Sequence, residues 1–142
     1  MRRLCLLAAL VFLSGCCGRH VDLPPTARVN GTVTLDGSPV AGAQVQFIPD
    51  ASQGTTGAPA MGFTDDTGKF DLVTATVKGA IVGHHRVRVE ARAAPKDEMD
   101  TLPALLTPAI YADETKTPLT AEVVAGKTNQ IDLQLTSQGE RR

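Results

Sequence analysis

From Arg28 onward, apolar and polar residues alternate with a period of two, broken at short intervals by turn residues. This is the pattern of half-buried β-strands. Val29, Gly31, Val33 and Leu35 fall on one face and Arg28, Asn30, Thr32 and Thr34 on the other. Asp36-Gly37-Ser38-Pro39 supplies a turn, because Gly accepts positive φ and Pro presets the next bend. Ala43, Val45 and Phe47 then face inward from a second strand that ends at Pro49. Met61 and Phe63 begin a short third strand. Asp65-Asp66-Thr67-Gly68 turns the chain into Lys69–Leu72 as a hairpin, with Phe70 and Leu72 inward. His85, Val87, Val89 and Ala91 share one face of the next strand, and His84, Arg86, Arg88, Glu90 and Arg92 share the other, a charged row read as wet. Leu119, Ala121 and Val123 lead through Ala125-Gly126-Lys127 into Ile131, Leu133 and Leu135, which reads as a closing hairpin.

Two stretches lack this alternation. Residues from Asp50 to Ala60 read as a flexible loop. Residues from Ala94 to Pro118 carry Pro95, Pro103, Pro108 and Pro118, which excludes a central strand or one continuous helix and leaves room for a helical turn over Leu102–Leu106. No segment after Leu13 carries a sustained helical apolar stripe. The expected fold is therefore all-β: seven strands in a two-sheet sandwich.

The N-terminus follows other rules. Two cations, Arg2 and Arg3, precede the apolar run from Leu4 to Leu13, the order of a secretory signal. Ten apolar residues rise only about 15 Å as a helix, roughly half a hydrocarbon core, so the run is too short to span. It ends in Leu13-Ser14-Gly15-Cys16, which resembles the lipobox of bacterial lipoproteins. That resemblance implies cleavage before Cys16, a diacylglycerol thioether on its sulfur and commonly a fatty acyl group such as palmitate on the new amine. The alternative is an ordinary cleaved signal with a chance Cys. The expected organisation is a signal over residues 1–15, a lipidated Cys and polar tether over 16–27, the sandwich over 28–136 and a polar tail over 137–142.

Composition sharpens this. The chain has 3 Cys, namely Cys5, Cys16 and Cys17, so the folded part has none. That rules out a disulfide scaffold, a thiolate nucleophile and Cys-ligated zinc. Removing Arg2 and Arg3 takes the 14 basic groups to 12 against 15 acidic ones, and the formal charge from -1 to -3. Phosphate recognition needs a concentrated cationic excess, so nucleic acid is not an expected partner.

Val29 to Phe47, with the turn at Asp36 to Pro39, resembles the opening of carboxypeptidase regulatory-like domains, which have a prealbumin-like (transthyretin-like) Greek-key sandwich. Thr64 to Leu72 is similar to their next hairpin. Gly83 to Val89 is similar to the following strand, with His85 where an aromatic is commoner. Pro108 to Ala125 looks like the closing segment of small planctomycete lipoproteins of this type. The resemblance implies a cell-envelope accessory, adhesive or structural module. The fold hosts several functions, so no ligand follows from it.

His84 and His85 are adjacent on a strand and point to opposite faces, which prevents them from chelating one metal together. A small transthyretin-fold hydrolase or metal-dependent enzyme using His84, His85 and Arg86 is the alternative reading. The transthyretin-fold hydrolases of 5-hydroxyisourate carry a C-terminal Tyr-Arg-Gly-Ser tail, and this chain ends differently. Asp65, Asp66 and Asp71 suggest calcium, since hard cations want several oxygens, although Asp and Gly are also what tight turns prefer. The leading expectation is a non-enzymatic, cofactor-free, lipid-anchored envelope protein. Its loops Asp50 to Ala60 and Ala94 to Pro118 would recognise a protein or glycan. With one Tyr and no Trp, few rings are available to stack on sugar faces.

Overall fold

A computed structural model describes residues 23–139. The signal, Cys16, Cys17, His20, the first part of the tether and residues 140–142 lie outside the described residues. The described chain forms β1 (Thr26–Ala27), β2 (Val29–Leu35), β3 (Ser38–Pro39), β4 (Gln44–Pro49), β5 (Ala60–Phe63), β6 (Lys69–Asp71), β7 (Val73–Thr74), β8 (Val77–Lys78), β9 (Ala80–Ile81), β10 (Gly83–Glu90), α1 (Ala109–Ala112), β11 (Thr120–Val123), β12 (Asn129–Gln130) and β13 (Leu133–Leu135). It is an all-β sandwich. The larger sheet has the order β11-β10-β4-β5-β7-β8, and the smaller is built around β2, which pairs with β3, β6, β12 and β13. β1 pairs with β9 as a separate two-stranded element.

The inward rows lie where alternation puts them. Val33, Ala43, Val45, Phe47, Val87 and Val89 are fully buried, with Val29, Phe70, Leu72, Ala91, Val123, Leu133 and Leu135 around them in one cluster. The Phe47 and Phe70 rings meet across the sheets at 6.5 Å between centroids, tilted by 52°. Aromatic pairs favour tilted arrangements at this separation. In β5 the inward positions are Ala60 and Gly62, and Phe63 is 65% exposed.

Strand partners differ from the sequence expectation at each expected hairpin. β2 makes a short hairpin with β3, whereas β4 crosses to the larger sheet and pairs with β10 and β5. The turn at Asp65 to Gly68 does close, with Gly68 N–H donating to Asp65 O at 2.9 Å. Its arms then part: β5 pairs with β4 and β7, and β6 pairs with β2. The last turn also joins the two sheets, since β11 pairs antiparallel with β10 while β13 runs parallel to β2. Period-two patterning tells which face is buried. It does not distinguish two strands side by side from two strands face to face, because both bury the same rows.

Three further expectations are corrected. Thr26–Ala27, placed in the tether, is a paired strand with Ala27 buried, and Val82 N–H donates to Pro25 O at 2.8 Å. Helix forms at Ala109–Ala112, directly after Pro108, rather than over Leu102–Leu106, and it buries Tyr111. Residues 50–60 are tied down rather than loose: Asp50 caps a short 3₁₀ turn over Ala51–Gln53, and buried Thr55 accepts from His84 N–H at 2.9 Å.

Close backbone approach explains two glycines. A Cβ on Gly31 would run into the Ile131 carbonyl, and one on Gly62 into the Asp71 carbonyl, where the chain passes from the smaller sheet back to the larger. Gly62→Val should therefore lower stability by about 2 kcal/mol through overpacking. Gly126→Asn, at φ +77 in open space, should shift the urea midpoint far less. Equal midpoints for the two variants would contradict this account of the crossing.

Candidate functional site

Strand β10 carries the sequence-expected histidines and separates them. His84 is exposed on the outer face, beside Glu122 of β11 in register. His85 is 1% exposed on the inner face, with its ring 5.8 Å from that of Phe47. Its Nδ1 lies 3.0 Å from the Gly83 carbonyl, which can only accept, so Nδ1 is the protonated nitrogen of the neutral ring. Nε2 is then a buried acceptor, with no hydrogen-bond partner among the described residues. Burial holds His85 below its ordinary pKa, outweighing the Gly83 carbonyl, and His84 adds to the lowering. The ring behaves as a neutral core side chain next to Phe47. Arg86 does not join either histidine: its Nε is 3.8 Å from Asp50 Oδ2, and it reaches the Glu114 carbonyl at 3.4 Å.

The proposed calcium carboxylates are not brought together. Oδ1 of Asp65 accepts from the Thr67 N–H at 2.8 Å, the Thr67 hydroxyl at 2.7 Å and the Lys69 N–H at 3.0 Å. It is engaged in closing its own turn. Asp71 stands on β6 in register with Asn30 of β2. Among the described residues no group of three or more His, Cys, Asp or Glu could hold a metal ion.

The Asp65 device recurs at two other Asp-x-Ser/Thr steps, whereas Asp36 of Asp36-Gly37-Ser38 accepts from Ser137 N–H instead. Asp50 Oδ1 accepts from Ser52 N–H at 3.0 Å and its hydroxyl at 2.6 Å. Asp113 Oδ1 accepts from Thr115 N–H at 2.9 Å and its hydroxyl at 2.7 Å. These bonds favour the ionised form, so all three carboxyls are lowered, Asp113 to about 2. In each case the bond from the neighbouring hydroxyl is the largest cause.

The charged outer row of β10 is more than a wetted face. Glu90 sits between Arg88 at 2.5 Å and Arg92 at 2.6 Å, and its carboxyl is held below the ordinary range, chiefly by the bond from Arg92. Arg88 Nε donates to the Ala112 carbonyl, and Arg92 donates to the Pro103 carbonyl at 2.8 Å. The guanidiniums thus fasten the proline-rich segment across the sheet. Tyr111 pins the same segment from inside, its hydroxyl accepting from Thr136 N–H at 3.1 Å. Sequence reading missed this pin and also Asn129, whose Nδ2 donates to the Val124 carbonyl at 3.0 Å while its Oδ1 accepts from Val124 N–H at 2.9 Å. A lone Tyr amid prolines and an Asn closing a Gly turn were the available signals.

Of the two loops expected to bind, residues 50–60 and the first part of the proline-rich segment lie at opposite ends of the sandwich, while Glu114 and Thr117 return along β10 to Arg86 and Val87, and Arg86 touches both Asp50 and the Glu114 carbonyl. Residues 50–60 join β4 to β5 beside Gly83–His84, where β10 begins, and residues 91–108 follow its last residue. Eight residues of strand separate them, about 26 Å. The far end exposes Met99, Leu102 and Leu106. In comparisons with known proteins, no family model, no curated protein and no solved structure matches the chain.

Acid should act in two stages. His85 binds its proton more weakly folded than unfolded, so its share of stability is present above pH 6.5 and is lost as pH falls below that value toward the folded pKa. The Asp50, Asp65 and Asp113 contributions are present above the unfolded value of 3.8 and are lost below it, down to about pH 2 for Asp113. His85→Phe should fold and should abolish the decline between pH 6.5 and 4.5 in denaturation midpoints, with the loss below about pH 4 intact. An unchanged decline in that upper window would show that His85 is not its source.

Proposed function

We propose that this protein is a non-enzymatic, lipid-anchored module of a bacterial cell envelope, with a carboxypeptidase regulatory-like, transthyretin-like sandwich joined to the membrane through Cys16. The observation that carries the reading is Arg2-Arg3, then a short apolar run, then Leu13-Ser14-Gly15-Cys16. Its support from the folded part is positional. The described chain begins at Leu23 and enters the sandwich at Pro25 and β1, next to β9 at the start of β10. An anchor attached there leaves residues 91–108, with Met99, Leu102 and Leu106, at the end farther from the bilayer. A protein partner suits that end better than a glycan, because the single Tyr is buried and the loop itself holds no aromatic ring. The hydrolase alternative gains no support from His84 and His85, which occupy opposite faces.

Cys16→Ala should abolish incorporation of labelled palmitate in cells and leave unprocessed precursor. Normal maturation and labelling of that variant would overturn the anchor.

A further inference from the structure

The end of the sandwich where the chain comes in gathers three cations around two adjoining clefts. One cleft, of about 280 Å³, is lined by Arg28, Lys78, Asp71, Asn30, Gly79 and Thr128 among others. The second shares Arg28 and Thr128 and adds Lys127. Arg28, Lys78 and Lys127 are all exposed, and among the described residues none of them forms an ion pair within 4 Å. Among the described residues, Asp71 is the only carboxylate lining either cleft. Asp50 and Glu122 also lie toward this end, beside His84; Asp50 is occupied by Ser52 and Arg86.

Two exposed aliphatic side chains accompany the cations, Val73 in register with Lys78 in the wall of the first cleft and Val124 on the turn that carries Lys127. That turn is held by Asn129, which bonds the carbonyls of Val124 and Lys127 and the N–H of Val124, so the group is preorganised. At the floor of the first cleft Asn30 Oδ1 is a buried acceptor, without a hydrogen-bond partner among the described residues. Unpaired cations next to exposed aliphatics match the chemistry of an anionic phospholipid surface.

We infer that this face, formed by Arg28, Lys78 and Lys127 with Val73 and Val124, docks on an anionic lipid surface and fixes the sandwich upright on its membrane. The inference rests on the lipid-anchor reading for its geometry. Seven residue steps from Cys16 to Leu23 reach at most about 24 Å, which keeps this end, and not the 91–108 end, within reach of headgroups. Charge complementarity selects the occupant: the far end carries Asp36, Asp65, Asp66, Asp97, Glu98 and Asp100 against Lys69 and Lys96, a net negative balance that anionic lipid would disfavour.

The test uses the full processed chain in a Cys17→Ser background, with an environment-sensitive dye on Val124→Cys or, at the far turn, on Ser38→Cys. Vesicles are phosphatidylcholine alone or with about one-third phosphatidylglycerol, each containing nitroxide-labelled lipid. Quenching at position 124 should appear on the anionic vesicles only, and position 38 should stay unquenched on both. Combining Arg28→Gln, Lys78→Gln and Lys127→Gln should weaken the docked state on the order of a hundredfold, and about 0.5 M salt should erase the difference without any mutation. Equal quenching at 124 and 38 on anionic vesicles, or quenching at 124 that neither salt nor the triple variant changes, would overturn the inference. Failure to float with neutral vesicles would sink the anchor alone; the quenching contrast, read on the same chain at raised lipid concentration, would still decide the face.

Discussion

The contact between Phe47 of the larger sheet and Phe70 of the smaller one is the constraint around which the sandwich is organised. Each ring belongs to a strand that alternation alone would pair with a sequence neighbour, and each instead faces the other across the core. Around them the rows of β2, β4 and β10 contribute small and branched side chains that are almost wholly excluded from water. Burial of this cross-sheet layer is the largest favourable term available to a chain with no disulfide in its folded part. His85 is admitted to the layer although it is titratable, because the Gly83 carbonyl satisfies one nitrogen and desolvation keeps the ring neutral.

That layer fixes the direction of β10, and β10 fixes what each end of the molecule can do. Its inner row belongs to the core, while its outer guanidiniums hold down the segment that ends in α1. The long proline-rich stretch is thereby converted from a loose excursion into a cover over one face, locked from within by Tyr111. Carboxylates that would otherwise be free to bind cations are spent inside Asp-x-Ser/Thr turns, the same local device three times over. The two ends differ in what they leave at the surface: Met99, Leu102 and Leu106 at one, and Arg28, Lys78 and Lys127 around the clefts at the other.

Alternation in the sequence was enough to set the class of fold, the inward residues of β2, β4 and β10, and the separation of His84 from His85, because a strand's side chains must alternate whatever it pairs with. Cysteine positions and the N-terminal order of cations, apolar run and small residues were readable for the same reason, being local and independent of folding. Partner choice was not local. Whether β4 lies beside β2 or opposite it, whether β13 returns parallel to β2, and which end each loop occupies depend on how two apolar faces close over one another, a free energy shared by residues far apart in the chain. The cluster of Arg28, Lys78 and Lys127 has the same origin: nothing in their spacing announces it, and only the closing of the two sheets brings them to a common rim.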